Sequence, residues 1–300
     1  MESKRKRTRI NYKDISSEGS DAYVIIDDIN DIPSDTSSWS REHLAALKIY
    51  YNNQYQSVEI VPLDEKYEKL VLESWTKSHF EYATNDQIHA LDKSVASIIM
   101  KIKYIINLHT GPAKKEVRVD GFMMSLLNFL EFDEYPCVMY PQYMYTAKFQ
   151  GDKTISSKVE FIVTNSQSYV LLIIEDKHED NTGSFNDWSE NQIAGEMFGC
   201  VYHTVQMSEF TRELKLPIVV NAIRVIGTLF TFYTTEVYKP YIDECYHRLP
   251  IKNKMDIFRY PSAPDLSENT LAPVVGLDFC NPKERREILG ILKAIRSKVK

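Results

Sequence analysis

Residues 169–178 read YVLLIIEDKH, an unbroken apolar run that ends abruptly in charged residues. Such a run predicts a strand that is buried on both faces, with its charged end at the rim of the core. Because side chains alternate along a strand, Glu175 and Lys177 share one face, while Asp176 and His178 point to the other. The rim of the predicted sheet therefore carries a carboxylate and a lysine on the same side.

A second acid precedes this strand. The segment Lys158–Thr164 has the composition of a strand and contains Glu160, and the turn residues 165–167 predict a hairpin that brings Glu160 beside Glu175. Two adjacent carboxylates repel each other unless a cation lies between them, and ligand sets made of oxygen alone suit Mg²⁺ or Mn²⁺. Lys177 could position or activate a water, or stabilise charge on a phosphate. Together these residues would suffice for metal-assisted hydrolysis of a phosphodiester.

The flanking sequence extends the hairpin into a larger α/β unit. The segments with helical or strand periodicity, in chain order, are a helix at Lys115–Leu130, strands at Cys137–Phe149, Lys158–Thr164 and Ser168–Lys177, a helix at Ser189–Val205, and strands at Ile218–Ile226 and Leu229–Thr234. The turn Gln150-Gly151-Asp152 joins the first two strands as another hairpin. The predicted order is therefore helix, three strands, helix, strands.

Composition divides the chain into three predicted regions. Residues 1–38 are rich in Ser, Asp and Lys, and only Ala22–Ile29 is apolar, which predicts a disordered arm with room for one short ordered segment. Residues 39–112 predict a helical region, with helices at about Ser40–Asn52, Asp64–Tyr82 and Asn85–His109. Residues 113–300 form the third region, which ends in a basic amphipathic helix from Pro282 to Lys300.

The same composition limits the class of protein. Of the 300 residues, 43% are hydrophobic and 12% aromatic, which is enough for a packed core. No apolar run is long enough to cross a bilayer, no leading stretch reads as a secretory signal, and four scattered cysteines do not make a disulfide framework. We therefore expect an intracellular protein with no membrane partner.

Charge limits how the chain could attract nucleic acid. The net charge of -6 argues against attraction by the whole surface, although a local basic face is compatible with it. The basic cluster Lys4–Arg9 could be a nuclear import signal, a phosphate-binding arm or a solvated tail. The cations of the last helix could follow a phosphate backbone or lie in solvent; they are Arg285, Arg286, Lys293, Arg296, Lys298 and Lys300.

The pattern over residues 115–235 resembles the PD-(D/E)XK, or restriction-endonuclease-like, nuclease superfamily, whose core order is αβββαβ. That superfamily carries an acid on the second strand and an ExK element on the third. Glu175-Asp176-Lys177, hereafter the ExK segment, matches the element in full, and Glu160 stands where the family usually has aspartate. The stretches SENQIAGEM at 189–197 and AIRVIGT at 222–228 are similar to eukaryotic fungal and Crinkler-type members. The resemblance implies an α/β (α+β) fold, in which helices flank a mixed central sheet.

The resemblance also implies a reaction and a set of roles. The reaction is hydrolysis of nucleic acid, with DNA favoured over RNA. Glu160 and Glu175 would hold Mg²⁺ or Mn²⁺, the backbone carbonyl of Asp176 would be a further ligand, and Lys177 would position the attacking water. The helix after the ExK strand often supplies a glutamine, here Gln192, which has Glu196 one turn away. The helix before the strands often supplies another acid, here Glu116 or Asp120. For these four helix residues, a solvated position is an equal alternative.

Other interpretations stay open beside the active nuclease. The fold could instead be a catalytically inactive scaffold that binds nucleic acid, or a protein partner through the N-terminal helices. The tyrosines Tyr135, Tyr140, Tyr143 and Tyr145 could stack on bases or pack in the core. Cys200, His203, Cys245 and His247 could ligate zinc, although the second spacing is tighter than in usual zinc pairs, and buried cysteines are the default interpretation.

Overall fold

The computed structural model describes residues 26–52, 59–107, 115–165, 170–177, 190–211, 216–262 and 276–298. The helices in these ranges are α1 (Arg41–Ala46), α2 (Glu65–Val71), α3 (Lys77–Tyr82), α4 (Asn85–His89), α5 (Lys93–Ile106), α6 (Lys115–Phe129), α7 (Glu190–Thr211), α8 (Lys239–His247) and α9 (Pro282–Ser297). The strands are β1 (Ile49–Asn52), β2 (Cys137–Lys148), β3 (Thr154–Asn165), β4 (Val170–Lys177), β5 (Ile218–Ile226), β6 (Leu229–Val237), β7 (Met255–Tyr260) and β8 (Leu277–Asp278). In β4 the backbone is described throughout, and Ile174 is the one residue whose side chain is described.

The described strands form one mixed sheet of eight, in the order β1-β7-β6-β5-β4-β3-β2, with β8 against β6. Strands β2, β3 and β4 are successive antiparallel neighbours, which confirms the two predicted hairpins. Strand β5 follows α7 along the chain and lies parallel to β4, as a strand–helix–strand crossover requires. The order from α6 to β5 is therefore helix, three antiparallel strands, helix, parallel strand.

Helices cover both faces of this mixed sheet, as the α/β prediction requires. On one side, α5, α6 and α9 pack on Phe161, Ile174 and Ile223; we call this the α6 face. On the other side, α7 packs on Ile162 and Ala222; we call this the α7 face. Full burial of an Ile or Phe side chain stabilises by about 1.5–3 kcal/mol, so these two layers hold the sheet in place.

The predicted helix Ser40–Asn52 is wrong beyond Ala46. Lys48 adopts a φ of 50°, which ends the helical path, and Ile49–Asn52 form β1. This strand pairs in parallel with Met255–Phe258 of β7, and Leu47 and Ile49 are buried. Tertiary pairing with a strand 200 residues away has overridden the local helical pattern.

The ordered part of the predicted arm is longer than the one short segment expected, because residues 26–38 are described throughout. Ile29, Ile32 and Thr36 are buried there, and the Thr36 hydroxyl lies 2.5 Å from that of Ser157. These side chains pack on the α7 face in the same cluster as Trp39. Residues 1–25, including the basic cluster Lys4–Arg9, lie outside the described residues.

The N-terminal helices are shorter than predicted. The stretch Asp64–Tyr82 splits into α2 and α3 after Leu72, which has a φ of 46°, and Asn85–His109 splits into α4 and α5. His109 lies outside the described residues. Helices α2 to α5 share one hydrophobic cluster with α6, α9 and the sheet. The division of the chain at residue 112 stays a prediction.

All four cysteines are described; each is buried, and none forms a disulfide. Burial raises the pKa of the Cys245 thiol to about 12, so the thiol stays protonated at neutral pH. Cys200 is fully buried while His247 is exposed. No group of three His, Cys, Asp or Glu side chains within the described ranges could hold a metal, which disfavours the zinc interpretation. Among those same residues, no helix is both long and apolar enough to cross a membrane.

Candidate functional site

The strand register brings the predicted acids to neighbouring backbone positions. Phe161 of β3 pairs with Ile174 of β4, and Glu160 and Glu175 are the residues that follow this last pair on the two neighbouring strands. On the far side of β4, Glu175 pairs in register with Arg224 of β5. The ExK segment therefore lies between two strands at the carboxyl end of β4. The side chains of its three residues lie outside the described atoms, so their ligand geometry stays a prediction.

Strands β2 and β3 are both irregular at the position of Glu160. The β2–β3 register passes from Pro141–Phe161 to Tyr143–Val159 without pairing Gln142 with Glu160, and Gln142 has a φ of 48°. A regular strand would send Val159 and Ile162 to opposite faces, yet both pack on the α7 face. Glu160 therefore lies, half-buried, at an irregularity in its strand. Such irregularities re-aim side chains and are over-represented beside active sites.

A buried ionic cluster ties the start of α7 to the sheet. The Glu190 carboxylate accepts hydrogen bonds from Arg259 Nε at 2.8 Å and from the Tyr233 hydroxyl at 2.9 Å, and it lies 3.7 Å from Arg224. The Tyr51 hydroxyl donates to the backbone carbonyl of Glu190. Burial raises the pKa of Tyr233 and of Tyr51, so both hydroxyls remain donors at any physiological pH.

This cluster was missed at the sequence level, although one signal was present. Arg224 is a single charge inside the apolar run 218–226, and it is fully buried. Buried charges need a paired partner, so Arg224 predicts a carboxylate nearby. The partner carboxylate of Arg224 is determined by the path of the chain through α7. Amino-acid composition does not specify that path.

The predicted helix residues on α7 contact each other. Gln192 Nε2 donates to Glu196 Oε1 at 2.8 Å, as expected for residues one turn apart. Glu196 is fully buried and its backbone carbonyl accepts from the Tyr145 hydroxyl, so the solvated alternative is wrong for this residue. Gln192 is half-buried. Both residues lie on the helix that covers the α7 face.

The predicted acids of α6 lie on the opposite side of the sheet. Helix α6 packs against β4 from the α6 face. Asp120 is half-buried, and its Oδ1 is shielded from solvent with no hydrogen-bond partner among the described residues. The Glu116 side chain lies outside the described atoms. The sheet therefore separates Asp120 from the buried ionic cluster.

The basic side chains of α9 form ion pairs and hydrogen bonds within the molecule. Arg286 pairs with Glu68 and Glu73, Lys293 with Asp64 at 2.8 Å, and Lys298 with Glu59 at 3.7 Å. Arg296 donates to the backbone carbonyls of Glu131 and Glu134, and Arg285 is buried with its guanidinium 4.8 Å from the Phe80 ring centre. Lys300 lies outside the described residues. These contacts join α9 to the N-terminal helices and disfavour the phosphate-binding interpretation of this face.

Comparison with models of protein families finds no match, and comparison with curated proteins finds none. The chemistry of the site therefore has to be argued from its own residues. Its predicted ligands are oxygen atoms on adjacent strands, next to a buried ionic cluster that anchors α7.

Proposed function

We propose that the protein is a metal-dependent nuclease built on a restriction-endonuclease-like core. The observation that carries the proposal is the β3–β4 register, whose last pair, Phe161 with Ile174, leaves Glu160 and Glu175 as the next residues on neighbouring strands. It is supported by the order α6–β2–β3–β4–α7–β5, which follows the αβββαβ order of the superfamily. An ExK tripeptide alone is common, but one that ends a central strand beside a second acid is far more specific.

The donor set fits a hard divalent cation. The carboxylates of Glu160 and Glu175 and the backbone carbonyl of Asp176 are oxygen ligands of the kind that Mg²⁺ and Mn²⁺ prefer. When bound, the cation would lower the pKa of a bound water and neutralise charge on the scissile phosphate. Lys177 would position the attacking water, and Gln192 would lie at the start of the covering helix. Arg224 of β5 is the register partner of Glu175 on the far side of β4.

Cleavage assays test the proposal directly. The purified full chain is incubated with Mg²⁺ or Mn²⁺ and plasmid, linear duplex, single-stranded DNA or RNA. We expect cleavage that falls by roughly 100-fold or more in Glu175→Gln and Lys177→Ala, the loss typical when a positioned catalytic group is removed. Matched controls are Glu236→Gln on β6 and Lys252→Ala, both exposed, which should keep full activity. Undiminished cleavage by Glu175→Gln would rule out the assigned site.

Arg224 also favours a second function, that of an inactive scaffold which binds nucleic acid or a protein partner. Its backbone lies in register with Glu175, and its guanidinium is fully buried, so this level of the sheet carries a fixed positive charge without any metal. A positive charge at this position could take the place of a cation.

Calorimetry with Mn²⁺ separates the two functions. Binding heat that disappears in the double variant Glu160→Ala/Glu175→Ala supports the nuclease. Wild-type protein that takes up no Mn²⁺ at millimolar concentration supports the scaffold. In that case partner binding through α2–α5 becomes the function to test, with Tyr82 and Tyr104 exposed on those helices as the first residues to substitute.

A further inference from the structure

Tyr140 and Tyr143 form a pair of rings at the edge of the sheet; we call them the tyrosine pair. Their ring centroids are 5.7 Å apart and their planes are inclined by 39°. Tyr143 also contacts the His203 ring of α7 at 6.0 Å and that of buried Tyr145 at 6.5 Å. A row of rings therefore runs outward from the core to Tyr140, which is 45% exposed.

The hydroxyl groups separate this pair from the structural tyrosines. Buried Tyr202 donates to the Ile242 carbonyl at 2.8 Å, and buried Tyr241 donates to the Leu47 carbonyl at 2.7 Å. Among the described residues, neither member of the tyrosine pair has a hydrogen-bond partner for its hydroxyl. Tyr202 and Tyr241 therefore have a structural role inside the fold, whereas the ring of Tyr140 is partly exposed to solvent.

The tyrosine pair brackets the candidate site. Tyr140 pairs in register with Ile162 and Tyr143 with Val159, so the two tyrosines lie on either side of Glu160. Neighbouring strands are about 4.8 Å apart, which places the backbone of Glu175 on β4 roughly 10 Å from β2. A strand of nucleic acid with one base on the rings could therefore reach the acids with an adjacent phosphate.

The exposed charges of the β2–β3 hairpin are cationic. On β2 and β3, the exposed charged side chains are Lys148 and Lys158, although the whole chain carries a net charge of -6. Both lysines alternate with residues that pack on the α7 face, so they lie on the other face of the hairpin from Tyr143. The rings therefore carry the argument, because exposed aromatic rings stack on unpaired bases without reading their sequence.

We propose that the tyrosine pair stacks an unpaired base of the substrate and so directs the nuclease to single-stranded nucleic acid or to unpaired ends. This inference rests on the proposed nuclease function, whose site it extends. In a duplex the base faces are covered by neighbouring base pairs, so a stacking surface at the side of the site favours unpaired nucleotides.

Fluorescence anisotropy with a labelled oligothymidine, in EDTA to prevent cleavage, tests the inference on the full chain. We expect Tyr140→Ala to weaken binding by about tenfold, within the range for loss of one base–ring stack. Tyr140→Phe should bind like the wild type because no described residue bonds to its hydroxyl. Tyr82→Ala on α3, where the ring is 73% exposed, should also bind like the wild type. Photocrosslinking to an oligonucleotide that carries 5-iodouracil should label Tyr140 or Tyr143.

The outcomes distinguish this inference from the function on which it rests. Unchanged affinity in Tyr140→Ala, tighter binding of a matched duplex, or no binding by the wild type overturns the stacking surface, while cleavage assays judge the nuclease separately. Binding that depends on Tyr140, in a protein that cleaves nothing with either metal, supports the surface and overturns the nuclease.

Discussion

Arg259 Nε donates to Glu190 Oε1 at 2.8 Å, joining the first residue of α7 to strand β7. The Arg259 side chain is almost fully buried, so the bond lies in a medium where an unpaired charge is costly. Because Arg224 shares the same carboxylate, Glu190 neutralises two guanidinium groups at the place where α7 begins. The start of α7 is therefore joined to β5 and β7 through this one acid.

Replacing Glu190 with Gln should destabilise the protein strongly. Two buried guanidinium groups would lose their shared anion, and breaking a buried pair typically costs about 3–5 kcal/mol. The Glu190 side chain is 28% exposed, so we expect a loss below that range, about 2–3 kcal/mol. Urea unfolding measures it, with Glu236→Gln as a control expected to stay within about 0.5 kcal/mol of the wild type. A loss below 1 kcal/mol would mean that the cluster contributes little to stability.

Two glycines should respond to alanine with opposite signs. A Cβ on Gly195 of α7 would lie 2.9 Å from the ring of buried Trp39 and 3.0 Å from Thr36, so Gly195→Ala should cost about 1–3 kcal/mol. A Cβ on Gly121 of α6 meets nothing within 4 Å, so Gly121→Ala should stabilise by about 0.4–1 kcal/mol. Thermal unfolding of both variants checks the pair. Equal shifts would contradict the packing of residues 26–40 on α7.

Acid should weaken one loop contact in a defined pH range. Burial alone raises the pKa of Glu244, but hydrogen bonds from the backbone N–H groups of Ile251 and Asn253 and from the Asn253 side chain together lower it to about 2. Because the folded pKa lies below the unfolded value, the carboxylate stabilises the fold fully above about pH 5, and this contribution is lost as the pH falls towards 2. The stability difference between wild type and Glu244→Gln should therefore shrink as the pH falls from 6 to 3. A difference that stays constant in urea titrations across this range would refute the assignment.

Affinity for single-stranded nucleic acid should fall when lysines of the β2–β3 hairpin are replaced, and it should not change when cations of α9 are replaced. We expect Lys148→Ala/Lys158→Ala to weaken oligothymidine binding and to lower its salt dependence, because the double variant removes positive charge from the hairpin. Arg286→Ala/Lys293→Ala should leave affinity unchanged, because both side chains already pair with acids of the N-terminal region, and should cost about 0–1 kcal/mol of stability for each exposed pair. Weaker binding in the α9 variant and unchanged binding in the hairpin variant would indicate that the C-terminal helix binds the nucleic acid.

Local signals were enough to predict the part of the fold that carries the site. Apolar runs and turn residues predicted β2, β3 and β4 as hairpins, and helical spacing predicted α6 and α7. The same signals failed to predict contacts between residues that are far apart in the sequence. Ile49–Asn52 became a strand through β7, and the acids that occupy Arg286 lie more than 200 residues away.

The sequence predicted the strands that carry the candidate acids but not the surroundings of those acids. A short turn sufficed to place Glu160 and Glu175 on neighbouring strands, and their role as metal ligands stays a prediction. Alternation would have sent Tyr140 and Tyr143 to opposite faces, and their contact arises because Gln142 takes a left-handed conformation. Nothing in the local sequence requires that conformation, since it is usual for glycine or asparagine rather than glutamine.

The interruption at Gln142 has a further consequence, because β2 is the outermost strand of the described sheet. A long, regular outer strand offers a continuous row of N–H and C=O groups on which another chain can assemble. Here Pro141 lacks an N–H and the turned backbone of Gln142 breaks the row near the middle of the strand. The irregularity beside the candidate site therefore also guards this edge against strand-by-strand aggregation.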